Sequence, residues 1–147
     1  MKVDIEYIKV LLELALESPT PDFDIKKQMP HLWIDQSGNG IEIDADNLNK
    51  LVFHMEILED QGVIKSSTKS PGLGFSRSMN GSFIVSVKPL RITAVGHDFI
   101  AALNRQGVLE QMKTSFKDVG PSEAVKVAFS LGAKALDKVL TEAVGDA

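Results

Sequence analysis

The stretch from Leu51 to Ile64 constrains the fold more than any other part of this chain. Leu48, Leu51, Val52, Met55 and Leu58 fall within one arc of a helical wheel, Gly62 follows the last of them, and Val63-Ile64 opens an extended run. Glycine takes the left-handed backbone that closes a helix without steric cost, and adjacent β-branched residues favour a strand. The segment therefore reads as an amphipathic helix over about Ala45–Gln61, capped by Asp44, stopped by glycine and followed at once by a strand over Val63–Thr68.

A second segment, Arg91 to Ile100, reads as a strand running through Thr93 into a helix over Ala94–Leu103. The remaining elements follow from period and punctuation. Asp4 caps a first helix whose buried stripe is Ile5, Ile8, Leu12, Ala15 and Leu16, and Ser18-Pro19-Thr20-Pro21 ends it. Asp22–Met29 is expected to make one short helical turn. Leu32–Asp35 and Ile41–Ile43 read as two short strands joined by Ser37-Gly38-Asn39-Gly40, whose glycines and Asn tolerate a tight hairpin turn. Ser70–Gly81, rich in Gly and Ser, reads as a loop, and Ser82–Val87 as the returning strand. Helices are expected over Val108–Phe116 and from Ser122 to Val144. The last carries two adjacent apolar seams, one through Val125, Phe129, Gly132, Leu136 and Leu140, the other through Ala124, Ala128, Leu131, Ala135 and Val139.

Charge is distributed unevenly. Residues 1 to 60 hold thirteen acids and five bases, whereas Gln61 to His97 holds no acid and five bases, Lys65, Lys69, Arg77, Lys88 and Arg91. A basic middle within a chain of net charge −4 is a candidate surface for an anionic partner, or the wet face of strands that favour Lys and Ser. With 147 residues one domain with a real core is expected. The absence of cysteine excludes disulfides and thiolate zinc sites and fits a reducing, cytoplasmic setting. No signal peptide is expected, and no apolar run approaches the ~18 residues that a membrane span needs.

Motifs that carry chemistry are sparse. His31, His54 and His97 have no ligand spacing, so no metal is expected, and His54 beside the buried arc of its helix reads as structural. His97 and Asp98 point about 100° apart on a helix and would not face one substrate together. Gly72-Leu73-Gly74-Phe75-Ser76-Arg77 fits neither the phosphate-loop nor the dinucleotide pattern. No catalytic residue and no cofactor are assigned, and an enzyme is not expected.

The helix–glycine–strand unit at Leu51–Ile64 resembles the recognition helix and wing start of winged helix-turn-helix regulators. Together with Met1-Lys2-Val3-Asp4-Ile5 and Ile92-Thr93-Ala94-Val95-Gly96-His97-Asp98-Phe99-Ile100, it resembles an uncharacterised bacterial and phage family known as a domain of unknown function. The resemblance covers about two thirds of the chain. The chain departs from it between Ser18 and Ile43 and in the wing loop, both of which are longer here. It implies a winged-helix-like fold, which with the elements read above gives an expected α+β architecture of a winged helix-turn-helix-like core, an inserted β-hairpin and a helical C-terminal extension. Residues 1–116 would form the winged-helix-like domain, and 117–147 a helix packing on it or on a dimer partner. It implies a phage or prophage origin and no activity.

Such a fold raises the question of DNA. With the Leu48/Leu51/Met55/Leu58 arc inward, the outward face of the helix shows Asp46, Asn49, Lys50, Phe53, Ile57 and Asp60. Acids there repel a duplex that carries a charge every ~1.7 Å of axis, and a Phe53/Ile57 pair calls for a protein cover, from a partner or from the C-terminal helix. The expected function is therefore a non-catalytic interaction protein that binds protein, itself or a host partner, through Phe53, Ile57, Phe129, Leu136 and Leu140, with a homodimer built on the last helix. The alternative is a DNA-binding regulator acting mainly through a basic wing, with Lys50, Lys65, Lys69 and Arg77 as its contacts.

Overall fold

The computed structural model describes residues 1–35, 42–115 and 120–145, apart from the side chains of Ser115, Leu136, Val139 and residues 142–145. The Ser37–Gly40 turn, Ile41 and Phe116 lie outside the described residues. The chain is a mixed α+β protein with six α-helices and small antiparallel sheets among the described residues.

Helix α1 (Ile5–Leu16) begins where the Asp4 carboxylate accepts the Tyr7 N–H at 3.2 Å. Ile5, Ile8, Leu11, Leu12 and Ala15 are buried. Leu16, expected in that stripe, is instead exposed at the last helical position, and Leu11, one turn beyond Ile8, takes its place in the core. Helix α2 (Ile25–Gln28) is one turn capped by Asp24, whose carboxylate accepts from Lys26 and Lys27 N–H. Pro30–Leu32 forms a 3-10 turn, so the strand expected from Leu32 shrinks to β1 (Ile34–Asp35), paired with β2 (Glu42–Ile43). Trp33 leaves the strand because its ring is buried and its indole N–H donates to the Ile25 carbonyl at 3.0 Å.

Helix α3 (Ala45–Asp60) buries Leu48, Leu51, Val52, Met55 and Leu58 as its pattern predicts, and His54 with them. Its end is a double closure. Gly62, at φ 73°, donates to the Glu59 carbonyl, and the Val63 N–H reaches back to the Leu58 carbonyl, both at 2.9 Å. Val63 and Leu58 are both buried, so the turn that stops the helix also seats the next strand in the core.

That strand, β3 (Ile64–Ser66), pairs antiparallel with β6 (Leu90–Ile92), register Ile64↔Ile92, Lys65↔Arg91 and Ser66↔Leu90. The returning partner is therefore β6 and not Ser82–Val87. Pro89 permits this because the ladder uses its carbonyl, which accepts the Ser67 N–H at 3.0 Å, and never its missing N–H. On its other edge β6 meets Phe23, each residue's N–H donating to the other's carbonyl at 2.8 Å across Leu90. The expected loop contains β4 (Phe75–Arg77), which forms a separate hairpin with β5 (Phe83–Val85). Gly74, at φ 94°, makes the bend into it. Its carbonyl takes the Ser86 N–H, and a Cβ there would lie 2.1 Å from the Ser86 oxygen.

Helix α4 (Ala94–Leu103) is capped by Thr93, whose hydroxyl accepts the Gly96 N–H at 3.0 Å and also donates to the Gly62 carbonyl. Helices α5 (Val108–Ser115) and α6 (Pro121–Gly145) complete the molecule, α6 lying on α4 and α5. Ala124 and Ala128 are buried, and a Cβ on Gly132 would come within 2.8 Å of the Ala102 Cβ. The small residues of α6 thus bring it close to α4 of the same chain.

Candidate functional site

The outward face of α3 and the β4–β5 hairpin enclose the most distinctive surface of the molecule. An open groove of about 410 Å³ is lined by Asn49, Val52, Phe53, Glu56, Ile57, Asp60, Arg77 and Phe83, with Met1 at its edge. Phe53 and Ile57 are half-buried. They share this groove with Arg77 and Phe83 of the hairpin, whereas the C-terminal helix packs chiefly on α4 and α5. Arg77 on β4 holds Glu56 of α3 with two hydrogen bonds, Nη2 to Oε1 at 2.6 Å and Nη1 to Oε2 at 3.1 Å. The same guanidinium lies 5.0 Å from the Phe83 ring centroid. This paired fork is the geometry that best joins Arg to a carboxylate.

Carboxylates are concentrated at the end of α3, with Glu56 and Asp60 in the groove lining. Glu56, Glu59 and Asp60 occupy its last turns, with no basic residue in the final turn. Glu59 is held above the usual carboxylate range, first by burial and then by the charges of Asp60 and Glu56, which outweigh Lys88. Negative charge at a helix C-terminus also opposes the helix dipole.

The reverse side of α3 is a structural cluster. His54 is fully buried. Its Nε2 accepts the Asp4 N–H at 2.9 Å, so Nδ1 must carry the proton, and it lies 2.8 Å from the Lys50 carbonyl. Tyr7 and Phe53 pack on the ring at 4.6 and 5.1 Å. Burial depresses the His54 pKa, and the Lys50 carbonyl and the Asp4 charge only partly oppose this. Burial pushes the Tyr7 phenol up to about 12, with the Asp4 charge adding to it. For the Asp4 carboxyl, burial is outweighed by the Tyr7 N–H and the Lys50 ammonium, and the pKa ends below its ordinary value.

The four cations expected to contact DNA do not share a surface free for that role. Lys50 sits 3.5 Å from Asp4 and 4.6 Å over the Tyr7 ring, and Arg77 is committed to Glu56. Lys65 and Lys69 are exposed, and Lys65 faces Arg91 directly across the ladder, a like-charge pairing that costs stability. Of the residues expected to bind a partner through α6, Phe129 is half-buried against the core, Leu140 is 54% exposed, and the Leu136 side chain lies outside the described residues. His97 and Asp98 are both exposed on α4. In the Gly72–Arg77 segment Leu73 is buried and Phe75–Arg77 is strand β4. Among the described residues no three His, Asp or Glu side chains converge as metal ligands, and no helix is long and apolar enough to cross a membrane.

Sequence reasoning found Phe53, Ile57 and Asp60 but missed Glu56 and Phe83. Glu56 was readable, since it lies three residues beyond Phe53 on the same face. Its pairing with Arg77, across 21 residues, was not. Compared with known protein families, curated proteins and solved structures, the chain has no significant match.

Proposed function

We propose that this chain is an interaction module of the winged helix-turn-helix kind that binds protein through the outward face of α3 and its hairpin. The order of elements supports the winged-helix reading. A strand segment at Phe23 lies beside β6, β6 lies beside β3, α3 leads into β3, and a long excursion carrying β4–β5 joins β3 to β6. In these terms α3 is the recognition helix and the excursion is the wing. The motifs that resemble the bacterial and phage family sit at the start of α1, at the α3–β3 junction and at the start of α4, and a phage or prophage role belongs to the same proposal.

One observation carries the choice of protein over DNA. The wing arginine is turned onto α3 and bound to Glu56, and the face it partly covers is apolar and acidic. A duplex would meet carboxylates where a major-groove reader presents Arg, Lys, Asn or Gln. The competing reading, wing-led DNA binding, rests on Lys65 and Arg91 facing each other within a segment free of acids.

Affinity capture from the native host, with and without nuclease, tests this on wild type and on Ile57→Asp. The expected partner is a protein retained after nuclease and lost with Ile57→Asp. Loss on nuclease alone, or a nanomolar, sequence-selective complex with duplex DNA that Lys65→Glu abolishes, would overturn the reading. Non-specific binding is expected no tighter than ~10⁻⁴–10⁻⁶ M at physiological salt.

A further inference from the structure

We propose that the groove between α3 and the β4–β5 hairpin binds a basic amphipathic segment of another protein, seating an apolar side chain on Phe53, Ile57 and Phe83 and setting Lys or Arg against Asp60. This rests on the protein-binding reading above and narrows it to one chemical class of partner.

Three observations point the same way. The floor is apolar, and the rim charges contributed by α3 are negative. The Asp60 side chain forms no ion pair or hydrogen bond with another described residue, while Glu56 is satisfied by the chain's own Arg77. Arg77 shows how the groove takes a cation. Its guanidinium grips Glu56 with both nitrogens while lying over the Phe83 ring, and Asp60 is the carboxylate of the same lining left for an incoming cation.

A further point is energetic. Glu56, Glu59 and Asp60 crowd the end of α3 where the helix dipole is itself negative, and no base in the final turn offsets them. Glu59 is raised first by burial and then by the charges of Asp60 and Glu56, so Arg77 and Lys88 do not fully offset the cluster. A partner cation would relieve a repulsion that the free protein carries. An acidic or uncharged segment would leave it in place and add desolvation.

Selection from a random 16-residue peptide display library on the immobilised full-length chain tests this, followed by anisotropy titration of the leading peptide. Enriched sequences should carry net positive charge around one or two large apolar residues, and their affinity should fall as salt rises. Asp60→Lys should weaken binding about tenfold, since it replaces an attraction by a repulsion at the rim. Ile57→Asp should remove binding. If Ile57→Asp unfolds the domain, Asn49→Arg on the exposed groove edge gives the same reading without touching the core. Acidic or uncharged peptides that still depend on Ile57 would overturn the charge assignment and leave the protein-binding face standing. Peptides indifferent to Ile57 and Asn49, or no enrichment at all, would overturn both.

Discussion

Replacing Gly96 by alanine tests the fold where its parts meet. Glycine within a helix is ordinarily a weakness, and Gly→Ala stabilises by about 0.5–1 kcal/mol. Here the structure reverses the sign. A Cβ on Gly96 would lie 2.2 Å from the Val63 carbonyl oxygen and 2.7 Å from Ile92 Cγ2, and the first distance must grow to at least 3.4 Å for ordinary contact. The obstacle is backbone at the start of β3 and cannot turn aside. The first turn of α4 must retreat instead. Retreat strains the Thr93 N–H bond to Val63, 2.9 Å long, and the hydroxyl bond from Thr93 to the Gly62 carbonyl. Overpacking costs about 1–3 kcal/mol and a weakened hydrogen bond about 1, against a helix-propensity gain of about 1. The expected net loss is ~2 kcal/mol. With a urea m-value of about 1–3 kcal/mol/M, the unfolding midpoint should fall by roughly 0.7–2 M at unchanged slope. Circular dichroism against urea measures it. A midpoint equal to or above wild type would refute the close docking of α4 on β3.

Other perturbations give equally definite results. The folded His54 pKa lies below its ordinary 6.5, so stability should be fully present above that pH. It should decline as pH falls toward the folded value, by at most ~1.4 kcal/mol per unit, and an NMR titration placing His54 at or above 6.5 would refute this. Leu58→Ala removes a side chain only 2% exposed and should cost ~2–5 kcal/mol in chemical denaturation; a loss under ~0.5 kcal/mol would mean that the site is not close-packed. Self-association through α6 is tested at Leu140, which is 54% exposed. Sedimentation should show a dimer in wild type and a folded monomer for Leu140→Glu, and a wild type monomeric at high micromolar concentration would end the dimer proposal.

The helices were legible because their signals are local. Asp4, Asp44 and Thr93 each cap the helix predicted for them, and the arc from Leu48 to Leu58 is buried as the wheel requires. Gly62 marked the α3–β3 junction for the same reason. Strand pairing was not legible. Phe75–Arg77 is three residues long beside Gly74 and Ser78, too short for alternation to register, and Pro89 looked like an interruption although only its carbonyl is needed. The groove was half legible. Phe53 and Ile57 stood out as apolar residues on a polar face, but the groove they line is completed by a hairpin distant in sequence, joined to α3 by the Glu56–Arg77 contact. Gly132 lies in the helical seam expected to serve a homodimer, whereas its open side receives Ala102 of the same chain.

The position of β6 has a consequence for how the molecule assembles. It is paired on both edges, to β3 and to Phe23, and its bonds with Phe23 join residues far apart along the chain. The packing of α4, α5 and α6, by contrast, joins consecutive elements. Closing a long loop costs more entropy than closing a short one, and distant pairings slow folding. We hypothesise that the three C-terminal helices consolidate first and that the Phe23–Leu90 bridge closes last, locking the N-terminal third onto a helical platform already formed. Pulse-labelled hydrogen exchange during refolding should protect the Phe99–Leu103 amides before those of Phe23 and Leu90, and the reverse order would show that the sheet nucleates the fold.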